Sequence, residues 1–242
     1  MHRPKQRSIV RPTIVFDFDG TIAIGSGPLL AYARLVAPHA SSDYLHRAEA
    51  ALEAFERGDG GYRDGYDVVG SLAAADGVGQ QQMSDAYLGS RAQLGTELAP
   101  VTTVPELTAF LDRLRQHARL ELATNAPEAG IDRVLELWGV RERFDALHFA
   151  VGKPAGLRAV VARAIERGPV LAVGDIDAFD LAPARALGAD TALVGATAAS
   201  SPASTTMRGA SLADIIVDIE HWAASAGSST AAPSGASTTI ER

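Results

Sequence analysis

Two periods of hydrophobic spacing run along this chain. Short, mostly apolar runs at Ile14-Val15-Phe16 and over 120–124, 146–151, 170–174 and 190–195 predict strands buried on both faces. Between them, Leu107, Leu111, Leu114 and Ala118 recur at helical spacing after Val104, and Thr103 with Glu106 reads as a capping box opening that helix. Ile131, Val134, Leu135 and Trp138 line a second helix closed by Gly139; Leu157, Val160, Val161, Ala164 and Ile165 line a third closed by Gly168. A fourth is predicted over 178–187, stopped by Gly188, and a last element over 211–222 packs on the sheet. This alternation implies an α/β fold: a three-layer αβα, Rossmann-like core around a parallel sheet.

The stretch just after the first strand breaks the alternation. Residues 22–28 form a Gly-rich connection, and segments 29–36, 42–57, 66–75 and 80–94 are all helical in pattern with no strand among them. A block of helices inserted there reads as a cap. The expected organisation is a loose basic leader over 1–11, a core over 12–24 and 101–222, a helical cap over 25–100, and an Ala/Ser/Thr/Gly-rich, disordered tail over 223–242. Gly58 to Gly61 lack the Gly-Lys-Ser/Thr ending of a phosphate loop and read as a cap turn.

Composition narrows the function. With 242 residues, 47% hydrophobic and 21% charged, the chain can bury a full core. A net charge of −7 gives no electrostatic reason to expect nucleic acid or an anionic membrane as partner. The absence of cysteine excludes disulfides, thiolate catalysis and Cys-bound zinc. No apolar h-region follows the basic leader and no run is long enough to cross a bilayer, so a cytoplasmic location is expected. Lysine occurs only at Lys5 and Lys153, and Asn125 is the sole asparagine, so the interior Lys153 stands out in an arginine-dominated chain.

Candidate chemistry sits where the strands end. Asp17 and Asp19 follow the first strand and Gly20 lets the chain turn; Thr124-Asn125, Lys153 and the Asp175 to Asp180 segment follow the next three. Each has a bland alternative: an Asp-Gly turn, a capping box from Asn125 to Glu128, a solvated lysine, a helix cap at Asp175. Four such coincidences at four strand ends, where open parallel sheets bind ligands, favour a site. Carboxylates in one crevice need a cation, and oxygen-only ligands select a hard ion, best Mg²⁺. A lysine and a hydroxyl beside that ion seat a phosphoryl group, with Asp17 as nucleophile and Asp19 as acid and base. The expected partner is a small phosphorylated metabolite. Arg57, Tyr62, Arg63, Asp64 and Tyr66 surround a cap turn near the crevice but read as solvated or packing residues, and His39 and His46 as surface residues.

Asp17-Phe-Asp-Gly-Thr21, Thr124-Asn125, Lys153-Pro154 and Gly174-Asp175 with Asp180, in that order, resemble the four motifs of the haloacid dehalogenase (HAD) superfamily, over about residues 12 to 221. The resemblance implies a HAD-like core with a C1-type helical cap. It implies Asp17 as nucleophile and Mg²⁺ ligand, and Asp19 as general acid/base that also binds metal through its backbone carbonyl. Thr124 contacts the phosphate with Asn125 and Gly20 adjacent, Lys153 holds nucleophile and phosphoryl group, Asp175 binds the metal and Asp180 supports that shell. The chain departs from the family pattern at Ile22-Ala-Ile-Gly-Ser26, and the spacing from Asp175 to Asp180 is one longer than in many relatives, with Asp177 able to share the metal shell. An acid at position 19 resembles the phosphatase and phosphomutase branches, and no lysine lies between Gly25 and Pro100 for Schiff-base chemistry. The leading reading is a Mg²⁺-dependent phosphatase; a phosphomutase and a non-catalytic phospho-ligand binding protein are the alternatives. A response-regulator receiver domain shares the chemistry, but its motif order fits less well.

Overall fold

A computed structural model of the protein describes residues 10–227. The elements run β1 (Thr13–Phe16), β2 (Ala23–Ile24), α1 (Gly27–Val36), α2 (Tyr44–Glu56), α3 (Gly65–Ala75), α4 (Gln80–Ala92), β3 (Thr102–Thr103) and α5 (Leu107–Leu114). They continue with β4 (Arg119–Ala123), α6 (Glu128–Leu137), β5 (Ala146–His148), α7 (Ala155–Ile165), β6 (Val170–Gly174), α8 (Ala182–Arg185), β7 (Asp190–Leu193), β8 (Met207–Arg208) and α9 (Ile216–Ala226). Six strands form one sheet in the order β5-β4-β1-β6-β7-β8, every pairing parallel. β1 is therefore central, and both its neighbours arrive from distant sequence.

The alternation of side chains along β1 builds three layers. Ile14 and Phe16 face one side with Leu120, Leu122, Leu171 and Val173, under α5, α6 and α9. Val15, Ala123, Val170 and Ala172 face the other, under α7 and the segment of Leu181 and Ala184. Phe16 meets Phe110 and Phe144 edge-on, with ring centroids 6.4 and 6.5 Å away. A side chain of that size buried completely contributes about 1.5 to 3 kcal/mol.

Register aligns the strand ends. Phe16 pairs with Leu122 on one side and Val173 on the other, so the chain leaves β1, β4 and β6 at the same level. Asp17, Thr124 and Asp175 follow at that edge.

The helical block α1–α4 lies between β2 and β3 and has its own apolar cluster, including Tyr32, Val36, Tyr44, Leu52, Val68 and Val69. The two crossings into and out of this block pair as an antiparallel ribbon, Ala23 with Thr103 and Ile24 with Thr102. That pairing corrects the expected capping box. Thr103 is drawn into β3, where its hydroxyl donates to the Ile22 carbonyl at 2.8 Å, and Glu106 enters α5 with φ +56 and no capping bond. Pro105 between them keeps the preceding residue extended and favours the ribbon.

α9 continues to Ala226, so residues 223–226 are helical where a disordered tail was expected; Ile219 and Ala223 pack into the core. The remainder of that tail and positions 1–9 of the leader lie outside the described residues. Among the described residues no helix is long and apolar enough to cross a membrane.

Candidate active site

The strand edge gathers the sequence-predicted residues into one cavity of about 610 Å³, lined among others by Asp17, Asp19, Gly20, Thr124, Asn125, Lys153, Asp175 and Asp180. Lys153 is the organising cation. Its Nζ donates to Asp17 Oδ1 at 2.5 Å and to Asp180 Oδ1 at 2.6 Å, with its side chain 3% exposed. Burial works against its charge, but Asp17 and Asp180 outweigh that and raise its pKa.

The loop before Lys153 is held from the neighbouring strand end. Asn125 Oδ1 accepts from Lys153 N at 2.7 Å, while Thr124 Oγ1 accepts from Ala126 N at 3.1 Å. Asn125 thus braces the lysine loop, and α6 begins without a side-chain cap from Asn125. Asp180 is equally constrained: its second oxygen accepts from Ile176 N at 3.0 Å. A π-helical turn over Asp177–Leu181 absorbs the long spacing from Asp175 and returns Asp180 toward the strand end. A Cβ at Gly174 would fall 2.3 Å from the Asp180 Cβ, so only glycine permits this approach. Gly20 plays the same part for Asp175: its φ is +78, and a Cβ there would lie 2.2 Å from Asp175 Oδ2.

Asp17, Asp175 and Asp180 each offer a carboxylate oxygen within 4.8 Å of the others. Burial, opposed by Lys153 but reinforced by Asp180 and Asp19, raises the Asp17 pKa to about 7. Asp175 is also raised, by burial first and then by Asp17, Asp180 and Asp64. One lysine therefore leaves negative charge uncompensated, and an all-oxygen donor set of this kind fits a hard divalent cation. Asp177 stays outside the cluster, because Arg185 Nη1 takes its Oδ1 at 3.0 Å.

The cap closes the cavity with Leu29, Phe55, Tyr66 and Tyr87 beside the charged Glu56, Arg63 and Asp64, and Ile24 and Val101 come from the crossings. Arg63, Asp64 and Tyr66, read from sequence as solvated or packing residues, line this cavity, whereas Arg57 and Tyr62 do not. Arg63 lies 5.2 Å from the Phe179 ring centroid and so joins the cap to the core loop after β6. His39 and His46 are exposed, as expected.

Sequence reasoning missed Arg91. It lies on the cap side of Asp19, fully buried, with Nη1 2.8 Å from Asp19 Oδ1. The available signal was helical spacing, which puts Arg91 on one face with Tyr87 and Leu94, pointing inward.

The structure resembles several solved hydrolases. A magnesium-bound HAD-hydrolase from Bacillus subtilis, YfnB, matches with a TM-score of 0.58 at 16% identity, over 86% of this chain and 98% of that one. A HAD-superfamily subfamily IA hydrolase from Geobacter sulfurreducens matches with a TM-score of 0.55 at 20% identity, over 87% and 97%. A HAD phosphatase from Thermococcus onnurineus gives 0.52 at 19% identity, over 86% and 97%. At these identities the likeness establishes the fold. A search of curated proteins gave no match. The haloacid dehalogenase-like hydrolase family model matches residues 12–188, the span that carries all four strand-end motifs, and the chain belongs to that family of hydrolases.

Proposed function

We propose that this hydrolase is a Mg²⁺-dependent phosphatase that cleaves a small phosphomonoester through an aspartyl-phosphate on Asp17. The observation that carries this reading is the pairing of Asp17 with Lys153 at 2.5 Å beside two further carboxylates, under a cavity that Asp19 also lines.

Asp17 Oδ1 is held by Lys153, which leaves Oδ2 to attack phosphorus. As the bond from Asp17 to phosphorus forms, the ester P–O bond breaks, and Asp19 gives its proton to the leaving oxygen. Water then attacks the phosphoryl group and passes a proton to Asp19, and the Asp17 carboxylate leaves as inorganic phosphate forms. Thr124 accepts from Ala126 N and keeps its own hydroxyl proton for a phosphoryl oxygen; Lys153 offsets charge on another. Held by Asp17 and Asp175, the Asp19 main-chain carbonyl and the support of Asp180, Mg²⁺ supplies the remaining positive charge on the cluster and on the phosphoryl oxygens. The aromatic and aliphatic side chains of the cap, Leu29, Phe55, Tyr66 and Tyr87, favour an ester with an apolar or aromatic portion, with Glu56, Arg63 and Asp64 left for polar groups on it.

Phosphate release from a panel of small phosphomonoesters, with Mg²⁺ or with EDTA, tests this reading. Mg²⁺-dependent release, fastest for apolar or aryl esters, is expected. Binding of a phosphate analogue with no release from any ester would contradict it, and interconversion of isomeric phosphates would point to a mutase.

The carboxylate cluster also sets a pH dependence of stability. Asp17 has a folded pKa of about 7 against an ordinary value of 3.8. Its contribution is fully present below about 4 and is lost as pH rises through about 7, a loss on the order of 4 kcal/mol at most. Lys153, raised, keeps its contribution across this window. The EDTA-treated protein is therefore expected to melt at lower temperature at pH 8 than at pH 5, and Mg²⁺ to raise the melting temperature more at pH 8. A larger effect of Mg²⁺ at pH 5 would contradict the assignment of the cluster.

A further inference from the structure

Arg91, near the C-terminus of α4, is among the largest fully buried side chains of the protein. A guanidinium withdrawn from water needs partners for its charge and its donors. Arg91 has few: Nη1 donates to Asp19 Oδ1 at 2.8 Å and to the Tyr66 hydroxyl at 2.7 Å, while Nε and Nη2 have none among the described residues. Its whole polar engagement is directed at Asp19 and at the one hydroxyl that also approaches it, since Tyr66 OH lies 3.5 Å from the same Asp19 oxygen.

Tyr66 and the backbone of Arg91 are themselves held. Tyr66 packs edge-on against Tyr87 with centroids 5.6 Å apart and lies tilted against Tyr32 at 6.2 Å. The backbone of Arg91 is pinned by α6, where Gly130 has φ +85 and a Cβ in its place would fall 2.2 Å from the Arg91 carbonyl oxygen. Asp19, Tyr66 and Tyr87 line the cavity, but Arg91 does not. Any influence of Arg91 on a substrate must therefore pass through Asp19 or Tyr66.

We propose that Arg91 is a positioning residue for the reaction: with Tyr66 it fixes Oδ1 of Asp19 on the cap side, so that Oδ2 is the oxygen presented to the leaving group. Without this anchor the Asp19 carboxyl turns among rotamers, and the proton transfer it performs becomes slow whenever the leaving oxygen requires a proton. The inference rests on the assignment of Asp19 as acid and base in the proposed phosphatase.

The test compares wild type, Arg91→Gln, Arg91→Lys and Tyr66→Phe, with Mg²⁺, on an activated aryl phosphate whose leaving group departs unprotonated and on an alkyl phosphate that needs the proton. Arg91→Gln is expected to lower kcat on the alkyl ester by about 10²-fold and to change the aryl reaction and KM little. Arg91→Lys recovers part of the loss, and Tyr66→Phe shows the same ester selectivity to a smaller extent. In an Asp19→Asn background, Arg91→Gln adds no further loss. An equal loss on both esters, or an additive loss over Asp19→Asn, would overturn the proposal. Should Arg91→Gln fail to fold, Arg91→Lys and Tyr66→Phe decide by the same ester selectivity. Absence of wild-type turnover would overturn the phosphatase reading itself and this proposal with it, whereas an active wild type without ester selectivity in the variants overturns this proposal alone.

Discussion

Asp17→Asn is expected to lower kcat by about 10⁴- to 10⁶-fold, the range seen when an enzyme loses its nucleophile while its other charge-stabilising groups remain. The amide keeps the shape of the carboxyl and an oxygen for Lys153, so the fold and the phosphate seat around Thr124 should persist. What it loses is the negative charge needed to attack phosphorus. Removing one of three carboxylates whose oxygens lie within 4.8 Å of one another also relieves repulsion in the metal-free protein. The variant should therefore melt no earlier than wild type in EDTA at pH 8. Turnover by Asp17→Asn within tenfold of wild type would refute the nucleophile assignment.

Lys153→Met should damage both stability and activity. The lysine side chain is 3% exposed and bridges Asp17 and Asp180, whose side chains are 11% and 5% exposed. Removing the cation leaves buried carboxylates with no positive partner of their own, a loss of about 3 to 5 kcal/mol. Urea unfolding in EDTA at neutral pH should show it, and Mg²⁺ should restore part. Activity should fall by about 10²- to 10³-fold in kcat, because a preorganised charge is taken from the phosphoryl oxygens. A variant as stable as wild type in EDTA would mean that Lys153 is not the counter-charge of the cluster.

The central part of the fold was legible because its strands are mostly apolar runs, and β1, β4, β5 and β6 are followed by polar residues that parallel register then brings to one edge. Thr124, Lys153 and Asp175 could be expected near Asp17 for that reason alone, without contacts being known. The two-residue strands β2, β3 and β8 carry no period that could reveal them; β3 exists only because the ribbon with β2 captures Thr102 and Thr103. The same capture defeated the capping box at Thr103 and Glu106, a local motif overridden by a pairing 80 residues away in register. Sequence favoured Asp180 for the metal shell and left Asp177 able to share it; Arg185 takes Asp177, and the π-helical turn delivers Asp180 to Lys153. Tyr66 and Arg63 read as solvated or packing residues because sequence shows that they lie near a cap turn but not that the turn folds over the strand ends. Arg91 was hidden for a related reason: α4 is polar overall, and the spacing that puts Arg91 on one face with Tyr87 and Leu94 marks that face as inward without showing that it meets Asp19.

The most direct measurement is rapid acid quenching of wild type during turnover of an activated aryl phosphate with Mg²⁺, followed by digestion and mass spectrometry. With such an ester the first step is expected to outpace the second, so that the proposed intermediate should accumulate. The account predicts one phosphoryl group on the peptide containing Asp17, absent without Mg²⁺ and absent in Asp17→Asn. Phosphate release with an unmodified Asp17 peptide, or with the phosphoryl group on another residue, would contradict it.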